Sequence, residues 1–266
     1  MRDLPAILLL AAAACARGAA AVPEPAPRDA AERVPVLVEL FTSEGCSSCP
    51  RADALLALLA REQPLAGVEI LALAEHVDYW DDLGWKDDLA SAELTARQRA
   101  YAERRGRAGL YTPAAVVDGS EDVVGSDARS LEDRIRQAAA RPKARLRVSA
   151  TLAGRSLALR VAAPSLPPAS ARIIVAVVED GVERAVSRGE NAGRRLRHHA
   201  VVRKLARAGE PAGEAWTGDV AVPLEEGWNP ARLRAVAFAE DRASGRIVGA
   251  GAARVERADS RASADE

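Results

Sequence analysis

Cysteine, methionine and aromatic residues are scarce in this chain, and each scarcity excludes something. Three cysteines in 266 residues are too few for a fold stapled by several disulfides. Aromatic side chains make up only 3% of the sequence, so the core has to be built from Leu, Val and Ala. Charge of one sign is also lacking: 37 Lys and Arg face 38 Asp and Glu, a net charge of −1. That balance argues against a general nucleic-acid binder. Beyond the N-terminal region no apolar run is long enough to cross a bilayer as a helix. The length suffices for one large domain or two modest ones with a real core.

The three cysteines divide into a pair, Cys46 and Cys49, and a single residue, Cys15, in an N-terminal leader over residues 1–21. Residues 4–14 form an apolar stretch too short to span a membrane, preceded by a weak positive region in which Arg2 is followed by Asp3. Ala19-Ala20-Ala21 offers a secretory cleavage site, whereas Ala12-Ala13-Ala14-Cys15 resembles a lipobox with lipid on Cys15. Lipoprotein, ordinary secretion and an inert N-terminus all stay open. Residues 22–33, with Pro23, Pro25 and Pro27, read as an extended tether reaching about 3.1 Å per residue. Losing the leader, or lipidating Cys15, leaves one vicinal pair and no stray thiol, which suits an oxidising compartment.

The pair lies in Cys46-Ser47-Ser48-Cys49-Pro50, between an apolar run at residues 34–41 and a leucine-rich amphipathic stretch at 50–62. A C-x-x-C where a strand passes into a helix places the first thiol, exposed, at the helix N-terminus. There unpaired N–H groups and the positive end of the dipole favour thiolate. Cys46 is the expected nucleophile and Cys49 the resolving thiol; the plainer alternative is a structural disulfide. Glu44 and Asp53 near the thiols would raise their pKa, while Arg51 and the helix dipole push the other way. The balance suggests a reductant or a moderately poised exchanger. No organic cofactor is implied, because the cysteine pair carries the electrons.

Further along, residues 68–74 read as a buried strand, 87–105 as a charged helix, 114–117 as a strand ending in the Asp118-Gly119 turn, 122–124 as a short strand, and 126–140 as a helix capped by Ser126. This βαβαββα order over residues 34–141 is the thioredoxin-like arrangement, in which a cis proline opening the third strand packs beside the redox pair. Pro113 occupies that place. After residue 142 the pattern changes to seven alternating runs within 145–255, at 146–152, 157–163, 173–178, 200–205, 218–224, 233–239 and 247–252. These predict an all-β, sandwich-like domain, followed by a polar tail at 256–266. The run at 173–178 could instead be buried on both faces, and 200–205 could be helical.

Several stretches resemble a bacterial exported thioredoxin-like family catalogued as domain of unknown function 1223. They are ELFTSEGCSSCP at 39–50, Asp53, HVDYWD at 76–81, Leu83-Gly84-Trp85, Arg97-Gln98, Tyr101, Tyr111-Thr112-Pro113 and Val117-Asp118-Gly119, then GENAGR at 189–194, Leu196 with His198, and VVR at 201–203. Arg51 departs from the pattern, where another proline is expected. The resemblance spans residues 34–250 and implies the fold and export to the cell envelope or periplasm. It implies no activity.

His76 and Asp78 follow the second strand at its carboxyl end, the edge where open α/β sheets hold ligands. A proton shuttle for the thiols, a hydrogen-bonded histidine fixing the Tyr79-Trp80 loop, and a third metal ligand beside Cys46 and Cys49 are all open. The last would suit copper, held by two soft thiolates and an imidazole, although copper carriers usually space their cysteines one residue wider. Tyr79, Trp80 and Trp85 either line a substrate groove or cover the sheet edge. The basic stretch 189–207, with His198 and His199, reads as a solvated charged face or as a docking patch for anionic lipid or an acidic partner. Two adjacent histidines in a strand point to opposite faces and do not share a metal. The expected function is thiol–disulfide exchange on envelope proteins carrying thiols or disulfides. A copper metallochaperone and a non-catalytic binding module are the alternatives.

Overall fold

The computed structural model describes residues 33–166 and 171–258. The expected leader with Cys15, the tether up to residue 32 and the tail beyond residue 258 lie outside the described residues.

Strand β1 (Val34–Thr42) is apolar except at Glu39 and Thr42 and buried from its second residue onward, as befits a strand covered on both faces. The chain then turns through the cysteines into helix α1 (Cys49–Glu62), where Pro50 sits in the first turn, a position at which its missing N–H costs nothing. Gln63 closes the helix in the left-handed conformation and its side chain bonds both the carbonyl and the N–H of Ile70. Strand β2 (Val68–His76) runs parallel to β1 in a register pairing Val34 with Val68 and Thr42 with His76. His76 is thereby set beside the loop that carries the cysteines.

A 3-10 turn (Asp78–Leu83) leads to α2 (Ala92–Arg104), capped by the Ser91 side chain. The cis peptide Thr112–Pro113 enters β3 (Ala114–Val117), antiparallel to β1 on the side away from β2. Asp118 and Gly119, both at positive φ, turn the chain into β4 (Asp122–Val124). Helix α3 (Ala128–Ala139) follows, capped by Asp127 rather than Ser126.

The second half contributes β5 (Ala144–Arg145), β6 (Arg147–Ala153), β7 (Ser156–Ala163), β8 (Ala171–Glu179), β9 (Val182–Ala185), β10 (Arg195–His198), β11 (Val201–Gly209), β12 (Trp216–Pro223), β13 (Leu233–Asp241) and β14 (Ile247–Arg257). Residues 201–205 are strand, not helix.

The expected fold class, a thioredoxin-like α/β domain followed by a separate β-sandwich, is corrected by the topology. Among the described residues one mixed sheet of twelve strands runs β12-β7-β6-β14-β13-β8-β11-β2-β1-β3-β4, with β5 attached to β14. The chain is β-rich, and the strands of its second half continue the sheet begun by the first. The join is at β2, where Val201 of β11 pairs with Ala74 and the Ala74 N–H donates to the Ala200 carbonyl at 2.7 Å. An open β2 edge would leave its backbone groups unpaired; β11 pairs with it at Ala74, and Arg234 of β13 donates to the Ala72 carbonyl at 2.9 Å.

The cores follow the same logic. In β8, Ala176 and Val178 face the core shared with α1 and β1, while Ile173, Val175 and Val177 face a second core with β6 and β7. Strands buried on both faces knit the two halves together. A two-stranded hairpin, β9–β10, stands apart from the large sheet.

Candidate functional site

Cys46 and Cys49 form a disulfide, with Cα atoms 5.4 Å apart. They span a tight turn in which the Cys49 N–H donates to the Cys46 carbonyl at 3.2 Å. Cys49, rather than Cys46, is the first residue of α1. Ser48 precedes the helix without capping it; its hydroxyl lies 3.3 Å from Cys46 Sγ instead. The expected exposed thiol is not found, because Cys46 is 1% exposed and Cys49 is fully buried.

The cover comes from the hairpin, about 145 residues away in sequence. Asn191, at its tip, is fully buried and its side-chain N–H groups donate to the carbonyls of Glu44 and Cys46 at 2.8 and 2.9 Å. The Ser47 N–H donates to the Glu190 carboxylate at 2.9 Å, and bonding from Ser47 holds that carboxylate below its usual pKa. Gly189, at φ +74, packs so closely that an added Cβ would lie 3.0 Å from Trp85 Cβ. Glycine is required there by both conformation and space.

Behind the disulfide lies a pocket of buried ionisable groups. Asp53, one helical turn after Cys49 and therefore on the same face of α1, accepts from Thr42 Oγ1 at 2.7 Å. Burial raises its pKa, although His198, His76 and the Thr42 bond pull the other way. His76 is fully buried and pairs through Nδ1 with Asp87 Oδ2 at 2.7 Å. Burial alone would lower its pKa; the charge and hydrogen bond of Asp87, helped by Asp53 and Glu44, raise it overall. Burial pushes Asp87 up, yet His76 and the N–H groups of Glu44 and Leu89 bring it down to about 2.

His198 completes the pocket from β10. Its ring meets that of His76 edge to face at 4.8 Å between centroids. Nε2 lies 3.3 Å from Glu44 Oε1, and Nδ1 lies 3.7 Å from Asp53 Oδ2. Glu44 also accepts from Trp85 Nε1 at 2.8 Å and faces Arg184 of β9 at 3.6 Å. Among the described residues four nitrogen and oxygen atoms here have no hydrogen-bond partner: Glu44 Oε1, His76 Nε2 and both ring nitrogens of His198.

The structure thus gathers Cys46, Cys49, Glu44 and His76, together with Asp53. Asp78 turns away from them and bonds Thr95 Oγ1 at 2.6 Å. Pro113 is buried and reaches the cysteine loop through Trp80, which donates to Thr112 Oγ1 at 2.8 Å and packs its Cβ against Gly45. Tyr79 donates to Gln98 at 3.2 Å, and burial pushes its phenol up to about 12. In this oxidised form the two sulfurs are bonded to each other, so neither is a thiolate ligand. Among the described residues no group of three or more His, Cys, Asp and Glu side chains is placed to hold a metal ion.

Sequence reasoning missed the role of the hairpin. Its arginines at 194, 195 and 197 are exposed, but Asn191, Leu196 and His198 are buried. The alternation of Leu196 and His198 with exposed neighbours was the available signal.

The family model described as "Protein of unknown function (DUF1223)" matches residues 37–240. The chain belongs to that family. The DUF1223 span takes in both cysteines, the acid–imidazole pocket and the whole hairpin. A protein from Agrobacterium tumefaciens, known from a crystal structure, is similar to the DUF1223 chain at 29% identity and a TM-score of 0.65, over 83% of this chain and 94% of that one. A domain of the outer membrane lipoprotein Omp28 from Porphyromonas gingivalis overlaps 44% of this chain and 90% of its own, at 11% identity and a TM-score of 0.29, too low to indicate a shared fold. No curated protein matches the chain.

Proposed function

We propose that this DUF1223 protein performs thiol–disulfide exchange on protein substrates outside the cytoplasm, with Cys46 attacking and Cys49 resolving. The observation that carries the reading is the pairing of a helix-start disulfide with a buried cluster of acids and imidazoles, in which Glu44 Oε1, His76 Nε2 and both His198 ring nitrogens lack a hydrogen bond among the described residues. A disulfide acting only as a staple needs none of those groups. Burying a polar atom without a partner costs about 1–3 kcal/mol, and such expense concentrates where ionisation is used. Export to the envelope or periplasm, with lipid on Cys15 as one route, rests on the leader; a disulfide in a one-pair protein is consistent with an oxidising compartment.

In the reducing direction, the Cys46 thiolate attacks a client disulfide, forming a mixed disulfide while one client sulfur departs with the electron pair and takes up a proton. Cys49 then loses its proton and attacks Cys46 Sγ. The Cys46–Cys49 bond forms and the second client sulfur leaves as a thiol after protonation. Two client sulfurs are reduced and the two protein sulfurs are oxidised. Because Cys46 is covered, the hairpin tip has to lift before a client can reach it.

The test uses the full chain in an insulin-reduction assay with dithiothreitol, alongside Cys46→Ser and Cys49→Ser. The expected results are turnover that vanishes in Cys46→Ser and client mixed disulfides that accumulate in Cys49→Ser. The near-complete burial of Cys46 favours a structural staple as the second reading. Wild-type protein that neither turns over nor forms mixed disulfides would establish that staple instead. Copper bound stoichiometrically by the reduced protein, and lost in both variants, would favour the metallochaperone.

A further inference from the structure

We infer that His198 passes the proton of Cys49 between Asp53 and Glu44, which lets a thiol closed off from water ionise and attack. The inference rests on the exchange reading and assigns the hairpin a part in its resolving step. A buried thiol next to a carboxylate can lose its proton to that carboxylate, but the proton then has to leave or the reaction stalls. Asp53 is buried around its carboxyl and bonded on one oxygen to Thr42. Its other oxygen faces His198 Nδ1. The opposite nitrogen of the same ring faces Glu44 Oε1. An imidazole with its proton on Nε2 can accept at Nδ1 from Asp53 and release from Nε2 to Glu44, moving charge without moving the side chain far. Glu44 meets the exterior through Arg184, whose side chain is 30% exposed and also bonds the exposed Asp88.

The atoms that would carry the proton are the ones lacking fixed partners. Among the described residues neither ring nitrogen of His198 nor Glu44 Oε1 is held by a hydrogen bond, so no existing bond has to break for a proton to pass. The charged and titratable groups facing His198 are Asp53 from α1, Glu44 from the loop before it, and His76 from β2 with Asp87 behind; Arg184 on its own hairpin faces Glu44. In the resolving step, Cys49 gives its proton to Asp53. The Cys49 sulfur then bonds Cys46 Sγ, and the client sulfur leaves with the electrons of the broken bond. The proton on Asp53 moves to His198 Nδ1 while the Nε2 proton goes to Glu44.

Two measurements test this. Full-length protein with isotope-labelled imidazoles is observed by NMR near neutrality as disulfide and, after phosphine reduction, as dithiol. The Nδ1 and Nε2 resonances of His198 are expected to move between the two forms, because Cys49 carries a proton only in the dithiol, with the movement largely lost in Asp53→Asn. Identical resonances in the two forms, or a movement untouched by Asp53→Asn, would overturn the relay. This readout requires no turnover on a client, so it stands or falls apart from the exchange assay. Second, Ellman's reagent added to reduced protein forms a mixed disulfide on Cys46, and release of the second thionitrobenzoate reports attack by Cys49. In His198→Gln that release is expected to slow on the order of a hundredfold near neutrality. It should recover above about pH 8.5, where a thiol ionises unaided. An unchanged profile, or a loss equal at every pH, would assign His198 a structural role and overturn the inference. The wild-type NMR comparison decides the matter even if His198→Gln fails to fold.

Discussion

At the scale of single residues, the ion pair of His76 and Asp87 is the part of the site whose energetics are best defined. Both side chains are fully buried at 0% exposure, so each is stable as an ion only because of the other and of the N–H groups around Asp87. Asp87 lies at about 2 against an ordinary 3.8, so its contribution is present above 3.8 and is lost as the pH falls through about 2. A depression of that size corresponds to about 2–3 kcal/mol. His76 is raised above its ordinary 6.5. Its contribution is complete below 6.5 and is lost as the pH rises through the higher folded value. Stability should therefore plateau between about pH 4 and 6.5 and decline on the alkaline side. Urea unfolding midpoints of wild type and Asp87→Asn across this range check the sign. The variant should be less stable on the plateau and should lack the alkaline decline attributable to His76. A wild-type protein that gained stability above neutrality would contradict the assignment.

At the scale of elements, most strands and helices over residues 34–139 fall close to where periodicity places them, because apolar runs are local signals; α2 is the exception, beginning at Ala92 behind its Ser91 cap rather than at residue 87. The hairpin β9–β10 was not legible in the same way. Arg194, Arg195 and Arg197 make it read as a solvated basic face, and Asn191 and Glu190 read as turn residues. What makes Asn191 a buried cover for Cys46 is a contact across about 145 residues, and no local pattern encodes the partner of such a contact. The cysteine motif was legible as chemistry, but its closure was not. Gly189 gives a direct test of that closure. Replacing it with alanine places a Cβ against Trp85 and imposes a positive φ on a residue that resists it, at a cost of about 1–3 kcal/mol. That strain is relieved when the tip opens, so the open population should rise about fivefold to 150-fold. Gly189→Ala should accordingly speed reduction of the disulfide by a water-soluble phosphine, by a similar factor, and, because unfolding relieves the same strain, lower the global stability by about the same 1–3 kcal/mol. Reduction at the wild-type rate would show that the hairpin tip does not limit access.

At the scale of the molecule, the separate β domain failed as an expectation because the sequence of β8 and β13 states only that these strands are apolar, not which cores they face. Their two faces serve both halves. A second bond between the halves is ionic. Arg97 of α2 lies between Glu39 of β1, Glu75 of β2 and Glu240 of β13, all three fully buried, and its guanidinium also donates to Tyr101 Oη at 2.7 Å and covers Phe238. Burial first, and then the neighbouring Glu39, push the Glu75 carboxyl well above its usual pKa, while Arg97 opposes them. Removing the cation leaves a cluster of buried acids with too little positive charge, since Arg104 and Arg172 reach only Glu240. Arg97→Met should therefore destabilise the protein by about 3–5 kcal/mol. Arg97→Lys should recover only part of that loss, because an ammonium lacks the planar fork that reaches several acceptors at once. If the two halves form one cooperative unit, guanidinium unfolding followed by far-UV circular dichroism and by tryptophan fluorescence should give a single coincident transition in wild type. Trp80 and Trp85 report on the first half, Trp216 and Trp228 on the second. Arg97→Met should shift both signals together. Two separated transitions, or a variant that loosens only α2 and its neighbours, would mean that the continuous sheet does not make the halves depend on each other for stability.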